Sequence, residues 1–226
     1  MSSTPTTDSR RSAALARRRT RERDILAATR ALFDERGVRD AQIEDVARAV
    51  GVNRAIIYRH FSGKEELFAL TLVSYLDQLA DRLQAVSTTL PPRQRVEELT
   101  TAFVDFGLAY PAFVDCAQTL MRRPGPELLE EISESALFRL GRGISGCLRT
   151  LTDALTAGVE SDEFRVDDVH LLANTLYASG LGALQLARVG MLVKEAAPGV
   201  PMVSPLTPEQ VKAHVVASAL ALTTTP

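Results

Sequence analysis

Residues 42–61 read Gln-Ile-Glu-Asp-Val-Ala-Arg-Ala-Val-Gly-Val-Asn-Arg-Ala-Ile-Ile-Tyr-Arg-His-Phe and have the spacing of two short helices joined by a tight turn. Ala47 is small enough for the second helix to cross the first closely, and Gly51 can adopt the positive φ angle that the turn requires. Apolar residues stand where a small core between the helices needs them: Val46, Val50, Val52 and Ile57. The stretch therefore predicts a helix-turn-helix.

The predicted second helix of this motif carries polar side chains at the positions that the small core does not use. These residues are Asn53, Arg54, Tyr58 and His60. In a helix-turn-helix the second helix lies in the major groove, where such side chains can form hydrogen bonds with base edges and phosphates. The pattern therefore indicates a DNA-binding surface.

Helical periodicity continues on both sides of the motif. Before it, apolar residues from Ile25 to Phe33 form a helical stripe that ends at Gly37. After it, Ser62-Gly63-Lys64-Glu65 has the pattern of a capping box and opens a long helix. Further helices are predicted at about 93–109, in a short segment that ends at about Met121, and at 127–159. The third of these is expected to kink at its glycines Gly141, Gly143 and Gly146. The last two helices are predicted at 167–194 and, after a loop at 196–206, from Thr207. Because no segment alternates convincingly as a strand, the predicted fold class is all-α, with about nine helices.

Charge is distributed unevenly along the chain. Residues 1–64 carry a net charge of +6 and residues 65–226 a net charge of −8. A basic end on an acidic body is expected where one end binds a polyanion, although a solvated charged surface is the alternative. Residues 1–20 are rich in Ser, Thr and Arg and are predicted to form a flexible basic arm. The arginines Arg17, Arg18, Arg19, Arg21 and Arg23 could follow phosphates, enter an A·T-rich minor groove, or only solubilise the chain.

Three linked motifs in the N-terminal part resemble the TetR family of bacterial regulators. They are Leu32-Phe33-Asp34-Glu35-Arg36-Gly37, the turn from Val46 to Val52, and Tyr58-Arg59-His60-Phe61-Ser62-Gly63-Lys64-Glu65-Glu66-Leu67. The resemblance covers about 50 residues and implies a three-helix DNA-binding head at 21–81. It also implies a helical body at 82–226 that binds an effector and forms a dimer. The expected function is a ligand-responsive transcriptional regulator, most often a repressor.

The resemblance also implies roles for individual residues of the head. Tyr58 and His60 would contact phosphates, or a thymine methyl group in the case of Tyr58, and Lys64 would hold a phosphate at a helix N-terminus. Asn53, Arg54 and Ala55 would lie at the floor of the major groove, where Arg54 is the favoured base-reading residue because Arg pairs with guanine through two hydrogen bonds. Gln42 stands where the family usually has Thr. Since Gln caps helices poorly, Asp40 is an alternative cap, with a weaker phosphate contact at Gln42.

The body is expected to hold a ligand pocket and a two-fold interface. Small residues of the 167–194 helix would allow close helix packing against a second copy, together with the last helix: Ala173, Ala178, Ser179, Gly180, Gly182 and Ala183, with Val211, Val215, Val216 and Leu220. Candidate pocket residues, each of which could equally be core, are Phe103, Phe106, Phe113, Leu120, Phe138 and Tyr177. Because few charged residues lie in the middle helices, the expected effector is apolar or amphipathic, such as a lipid, an acyl thioester or a hydrophobic drug.

Other classes of function lack their sequence signatures. The chain has three His and two Cys without the spacing of a metal site or a catalytic pair, and it has no phosphate-binding loop, so no enzyme, metal or cofactor is predicted. The absence of a signal-like start and of a long apolar run favours a cytoplasmic protein without a membrane span. Two alternatives stay open: a ligand-dependent activator, and a helical interaction module without DNA binding. The effector, the operator and the target genes are not encoded in any motif recognised here.

Overall fold

The computed structural model describes the backbone of residues 7–224 and the side chains of residues 11–224. Within this part the chain forms ten helices and one small sheet, which confirms the all-α prediction in its main features. In chain order the elements are α1 (Thr7–Arg36), α2 (Ile43–Val50), α3 (Arg54–His60), α4 (Lys64–Gln84), α5 (Pro92–Ala109), α6 (Pro111–Met121), α7 (Gly125–Glu131), α8 (Glu134–Glu160), α9 (Val169–Val189), β1 (Met191–Ala197), β2 (Val200–Pro205) and α10 (Pro208–Leu222).

The central element is α4, which is buried along most of its length. It packs most extensively on α8 and also contacts α1, α5 and α6. A single cluster of buried apolar side chains extends from Ile25 in the first helix to Ala219 in the last. The three N-terminal helices and the body therefore share one core through α4. Within residues 7–224 no helix combines the length and the apolarity needed to cross a bilayer.

The hairpin formed by β1 and β2 contradicts the prediction of a helix to residue 194 followed by a loop. Helix α9 ends at Val189 because Gly190 adopts a left-handed conformation with φ of 67°. The strands then pair antiparallel, with Val193 opposite Val203, and Gly199 at φ of 76° lies in the turn between them. The Pro-Gly pair before β2 was a turn signal, but a short apolar run after a helix does not distinguish strand from helix by periodicity.

The first twenty residues differ from the predicted flexible arm. Helix α1 begins at Thr7, so residues 7–20 form a continuous helix with the segment that enters the core. The side chains of residues 11–20 are exposed, whereas Ile25 is fully buried. The parts of the predicted arm at residues 1–6 lie outside the described residues.

The glycine-rich segment does not kink where the sequence suggested. The break falls at Ile132 and Ser133, between α7 and α8, which accounts for the tenth helix. Ser133 caps α8, because its side chain accepts a hydrogen bond from the backbone N–H of Ala136. Gly143 instead serves close packing, since a Cβ atom there would lie 3.2 Å from Cδ1 of Leu76 on α4.

Candidate nucleic-acid interface and ligand pocket

The helix-turn-helix folds as its sequence predicted. Val46 and Ile57 are each 1% exposed and pack α2 against α3. Gly51 has φ of 71°, and its N–H donates to the carbonyl of Arg48 at the end of α2. Asn53 caps α3, since its side-chain oxygen accepts from the N–H of Ile56 at 3.0 Å. The short helix α3 is thus fixed at its start and along its buried side, which leaves its other side exposed.

Arg54 and Tyr58 form a pair on that exposed side of α3. The Arg54 Nη2 atom lies 3.1 Å from the Tyr58 hydroxyl, and the guanidinium carbon lies 5.3 Å from the centre of the Tyr58 ring. Arg54 Nη1 also donates to Glu44 Oε1 on α2 at 2.7 Å. The hydrogen bond that Arg54 donates to Tyr58 and the charge of Glu44 raise the pKa of Arg54, which therefore stays charged. The guanidinium is held in one orientation at the surface before any DNA is bound.

The other predicted DNA-contacting residues lie around this pair. Asn53, Ala55 and Lys64 are exposed, and Lys64 is the first residue of α4, so it stands at the positive end of that helix dipole. Gln42 occupies the N-cap position of α2 without a side-chain cap hydrogen bond. The alternative cap at Asp40 is wrong, because α2 begins at Ile43, directly after Gln42.

His60 ends α3 and is partly buried. Its Nδ1 atom is buried without a hydrogen-bond partner among the described residues. Burial lowers the pKa of His60, and the positive charges of Arg18, Arg21 and Arg59 lower it further, against the opposing effect of Glu22. The imidazole is therefore neutral at pH 7. Two arginines of α1, Arg18 and Arg21, act on this end of α3.

A buried carboxylate connects the end of the DNA-binding motif to α8. Glu66 Oε2 accepts from the backbone N–H of Ser62 at 2.8 Å and also from the Ser62 hydroxyl, while its Oε1 accepts from the Ser133 hydroxyl at 2.7 Å. Burial would raise the pKa of Glu66, but the hydrogen bonds from Ser62 and Ser133 lower it overall. The predicted capping box with Ser62 and Glu65 is therefore wrong: Gly63 is the N-cap, and Glu66 binds Ser62 instead.

A second connection joins α1 to α4 and the end of α5. The Arg30 guanidinium lies 4.1 Å from the centre of the Tyr75 ring, and it donates to the Gln78 side chain. The Tyr75 hydroxyl donates to Asp34 at 2.6 Å, and Gln78 donates to the Tyr110 hydroxyl at 2.9 Å. These partly buried bonds couple the head to the body through side chains that neither recognise DNA nor line the pocket.

The body contains an apolar pocket between five helices. Its lining consists of Leu79, Leu83, Leu99, Thr100, Phe103, Cys147, Leu148, Thr150, Leu151, Leu176, Tyr177, Val215 and Ala219. Two of the six predicted residues, Phe103 and Tyr177, are among them. The other four do not line the pocket: Phe106, Phe113 and Leu120 are buried in the core, and Phe138 is 70% exposed at the surface. Aromatic residues spaced along a helix are core more often than pocket, and the sequence alone could not separate the two.

The cavity itself has a volume of about 50 Å³, far below the ~300–1,000 Å³ of typical ligand sites. The hydroxyls of Thr100 and Thr150 donate to carbonyls of their own helices. Tyr177 has no hydrogen-bond partner among the described residues, and burial raises the pKa of its hydroxyl. A ligand would therefore have to part the helices, and it would meet a lining with one unpaired hydroxyl.

Comparison with known proteins places these features in a family. The profile described as "Bacterial regulatory proteins, tetR family" matches residues 25–71, from the buried part of α1 into α4. The HTH-type transcriptional repressor KstR2 of Mycobacterium tuberculosis is 29% identical over 158 residues, which cover 67% of this chain and 74% of KstR2. The chain is a transcriptional regulator whose residues 25–71 match the TetR family.

Two further proteins extend the comparison of this regulator. The HTH-type transcriptional activator FasR of Mycolicibacterium smegmatis is 36% identical over 87 residues, but these cover only 38% of this chain and 40% of FasR. The crystal structure of FadR from Bacillus subtilis in complex with stearoyl-CoA superposes with a TM-score of 0.62 at 14% identity, covering 88% of this chain and 97% of FadR. The latter likeness concerns the fold.

Five of the small residues predicted at the interface, all on α9, divide into two groups. Ala178, Ser179 and Gly182 are exposed on α9, as a surface for a second copy requires. Gly180 instead faces inward, where a Cβ atom would lie 2.7 Å from the Phe103 ring, and Ala173 is fully buried. The small size of these two residues therefore serves packing within the chain. Large apolar side chains that the sequence analysis did not single out are exposed nearby: Leu171, Leu186, Val189 and Leu222.

Sequence analysis also missed two polar residues of the head. Glu44 was read only as part of the motif, although it binds Arg54. Glu66 was read as part of a family motif, although it joins the motif to α8. An acidic residue on the helix before a predicted base-reading arginine is a signal that could have identified Glu44. No local pattern could have identified the partnership of Glu66, because Ser133 lies 67 residues away.

Proposed function

We propose that this regulator is a homodimeric repressor that binds a pseudo-palindromic operator and leaves it when an apolar or amphipathic ligand enters the body. The observation that supports DNA recognition most directly is the Arg54–Tyr58 pair on the exposed side of α3. A base-reading side chain that is already oriented loses little conformational entropy on binding. A regulator of this kind would act in the cytoplasm, where the chromosome lies.

In this proposal α3 lies in the major groove. Arg54 exchanges Glu44 for the O6 and N7 atoms of a guanine, beside Asn53 and Ala55. Phosphates are contacted by four residues around the groove: Gln42, Tyr58, His60 and Lys64. The positive end of the α4 dipole adds to the contact made by Lys64. These contacts combine base reading with charge, so binding should be both sequence-specific and dependent on salt.

The proposed dimer forms through the exposed sides of α9 and α10. The apolar side chains Leu171, Leu186 and Leu222, which are 65%, 41% and 44% exposed, support this assignment because a second copy would cover them. A two-fold axis would present two α3 helices to half-sites one helical turn apart, or a multiple of that spacing. The operator should therefore be an inverted repeat.

The proposed effector is a long acyl compound or another lipid-like molecule. The apolar lining, with the hydroxyl of Tyr177 as its unpaired polar group, supports a ligand that is mostly hydrocarbon. A polar groove with Arg142, Arg149 and Asp153 adjoins the pocket at Leu148 and could hold a charged end. The fold shared with FadR, whose structure contains stearoyl-CoA, and the similarity to KstR2, described as a ketosteroid regulator, agree with this class.

Helix α4 offers a direct route from ligand to DNA. Its first residue is Lys64, and Leu79 and Leu83 near its other end line the pocket. Because the cavity of about 50 Å³ is too small for such a ligand, entry must displace helices, and α4 is one of them. Displacement would change the spacing of the two heads, and a coupling of ~1–3 kcal/mol would lower operator affinity about 5- to 150-fold.

Activation is the second candidate, because FasR is named as an activator whereas KstR2 is named as a repressor. The position of the operator would separate the two. A site that overlaps the promoter supports repression, and a site upstream of it supports activation. The alternative of a helical module without DNA binding is disfavoured by the oriented Arg54–Tyr58 pair, which such a module would not need.

The test is selection of genomic fragments by the purified full chain, followed by footprinting at two salt concentrations. The wild type should protect an inverted repeat, with affinity that falls steeply with salt. The double variant Arg54→Ala/Tyr58→Ala should lose the footprint, whereas Arg93→Ala on α5, which removes an exposed charge from the body, should keep it. Fragments enriched without a shared repeat, or a double variant that still protects the same site, would refute the proposal.

A further inference from the structure

The N-terminal half of α1 extends beyond the core of the head. The helix has 30 residues, a length of about 45 Å, but its apolar contacts begin only at Ile25. Residues 11–24, called here the α1 extension, therefore form a helix with mostly exposed side chains. Folding of the head core alone does not require these residues.

The arginines of the α1 extension are close together in sequence and differ from seven arginines elsewhere in the protein, which are paired. Arg30, Arg36, Arg48, Arg54, Arg123, Arg139 and Arg188 all form ion pairs with carboxylates. Among residues 11–24, whose arginines are Arg11, Arg17, Arg18, Arg19, Arg21 and Arg23, no arginine forms an ion pair within the described part of the chain. Arginines spaced four apart on a helix, as Arg17 and Arg21 are, repel each other. A concentration of unpaired charge of this kind is stabilised by a polyanion.

One face of the α1 extension is directed towards α3. At 100° per residue, Arg18, Arg21 and Ile25 share a face, and Ile25 is fully buried in the head. Arg18 and Arg21 therefore continue, beyond the core, the side of α1 that faces the head. Burial lowers the pKa of His60 at the end of α3, and the charges of Arg18 and Arg21 lower it further, which agrees with this orientation.

An adjacent face of the α1 extension is attached to the body. Glu22 Oε1 lies 2.6 Å from Arg139 Nη1 on α8, and Arg19, Arg23 and Leu26 surround the same contact. This ion pair is partly exposed and adds little stability on its own. The face that Arg18 and Arg21 occupy is set instead by the continuity of the extension with the part of α1 that buries Ile25.

We propose that the α1 extension is a second DNA-contacting element, in which Arg18 and Arg21 bind backbone phosphates beside the groove occupied by α3. This inference rests on the proposed DNA binding by α3. An α-helix with side chains is about 10–12 Å wide, whereas the minor groove of B-DNA is about 6 Å wide. The α1 extension therefore lies along phosphates and does not enter the minor groove, so its contribution is independent of sequence.

The test compares two double variants with equal loss of charge in the same helix. In Arg18→Gln/Arg21→Gln the charges on the α3 side are removed, and in Arg19→Gln/Arg23→Gln those on the α8 side are removed. Gln has a helix propensity similar to that of Arg and carries no charge. Binding to the selected operator and to a random duplex is measured by fluorescence anisotropy between 50 and 200 mM salt, chosen as roughly the range over which phosphate contacts are resolved.

The first variant should lower the slope of log affinity against log salt by about 1.8, or ~0.9 for each lost phosphate contact, on both duplexes. The second variant should change the slope much less. Equal slope changes in the two variants would mean that only diffuse charge acts, and an unchanged slope in the first variant would mean that no contact exists. Either result overturns the proposal.

Two further outcomes distinguish a failure of this inference from a failure of the proposed function. If the wild type binds an operator and the first variant keeps the wild-type slope, the inference about the α1 extension fails while the proposed function stands. If the wild type binds neither duplex, both fail. An NMR titration provides a check on geometry: the pKa of His60 should rise towards 6.5 in Arg18→Gln/Arg21→Gln and stay nearer its wild-type value in the other variant.

Discussion

The DNA-binding surface and the ligand pocket of this protein are built in opposite ways. The predicted DNA contacts lie within 23 consecutive residues, from Gln42 to Lys64, on short helices whose ends are fixed by local bonds. The pocket combines residues of α4, α5, α8, α9 and α10, from Leu79 to Ala219. A site made by one segment can be recognised from the spacing of its residues, whereas a site between distant helices depends on how those helices pack.

Helix α4 belongs to both regions, and this makes the comparison relevant to mechanism. Its N-terminal end carries Lys64 and the Glu66 bonds to Ser62 and Ser133, and its C-terminal half carries Leu79 and Leu83. The head keeps its internal geometry through local caps, so a shift of α4 would move it as a unit. Changes in the pocket should therefore alter the response to ligand and leave base recognition intact.

The largest expected effect comes from filling the pocket. Ala219→Leu adds three carbons at a fully buried position of the lining, so the cavity should close. Under the proposed function, a lipid-like probe such as stearoyl-CoA should raise the melting temperature of the wild type and release operator DNA, and it should do neither in this variant. Operator affinity without ligand should stay within about twofold of wild type, because no head residue has moved. Thermal shift and anisotropy measure the two properties.

A matched variant controls for overpacking. Ala112→Leu on α6 enlarges another buried alanine, 3% exposed, that does not line the pocket. It should cost about 1–3 kcal/mol of stability through overpacking and keep its response to ligand. A ligand response that survives in Ala219→Leu would mean that the effector binds elsewhere, with the polar groove at Arg142 and Arg149 as the next site to test.

The next effect concerns the bond between head and body. Glu66→Gln removes a buried carboxylate and places an amide donor near the N–H of Ser62, at a cost of about 1–2 kcal/mol at pH 7. Because the folded-state pKa of Glu66 is below its ordinary value of 4.5, its stabilisation is present above that pH and is lost as pH falls through the folded-state pKa. The stability difference between wild type and variant should therefore shrink below pH 4.5 in urea unfolding.

Glu65→Gln is the control for this prediction. Glu65 is the neighbouring residue, is partly exposed, and forms only a 3.6 Å ion pair with Arg123. Its substitution should change stability by less than about 0.5 kcal/mol. Similar losses in Glu65→Gln and Glu66→Gln at pH 7 would contradict the role assigned to the Glu66 bonds.

The contrast between structure formed within one segment and structure formed between distant segments also explains which predictions were confirmed. The turn at Gly51 and the cap of α10 by Thr207 and Gln210 depend on residues at most three apart, and both formed as predicted. The break at Ile132, the β hairpin and the exposure of Phe138 were missed. The hairpin follows from the left-handed Gly190, and the position of Phe138 depends on which face of α8 meets α4.

The same contrast applies to the residues of the DNA-binding surface and of the pocket. Arg54 and Tyr58 could be assigned to the exposed side of α3 because the spacing of the helix-turn-helix fixes their place on a helix of seven residues. Phe103 and Tyr177 line the pocket together, with ring centroids 5.9 Å apart, although 74 positions separate them in the sequence. Phe106, only three residues from Phe103, faces the core instead. The periodicity of the sequence predicts that Phe103 and Phe106 are both on an apolar side of α5. It does not predict which of the two lines a cavity.

A smaller effect tests how the head maintains its geometry. Gly51→Ala places a side chain at φ of 71° with open space around it, so the cost is conformational and about 1 kcal/mol. Gly141→Ala, inside α8 and also without neighbours within 4 Å, should instead stabilise by about 0.5–1 kcal/mol. Melting temperatures should thus shift by roughly 2–4 °C in opposite directions. A melting temperature of Gly51→Ala equal to or above that of the wild type would show that the turn does not depend on glycine.

The smallest expected effect lies at the recognition surface itself. Glu44→Gln removes the charge that holds Arg54 in the free protein and that must be displaced when Arg54 binds a guanine. The pair is exposed, so operator affinity should rise only about two- to fivefold. The gain should be smaller on an operator whose contacted guanine is replaced, and it should vanish in an Arg54→Ala background. Lower affinity in Glu44→Gln would mean that Glu44 serves chiefly to orient Arg54. Base recognition by α3 would then depend on a residue of α2, just as the pocket depends on residues of several helices.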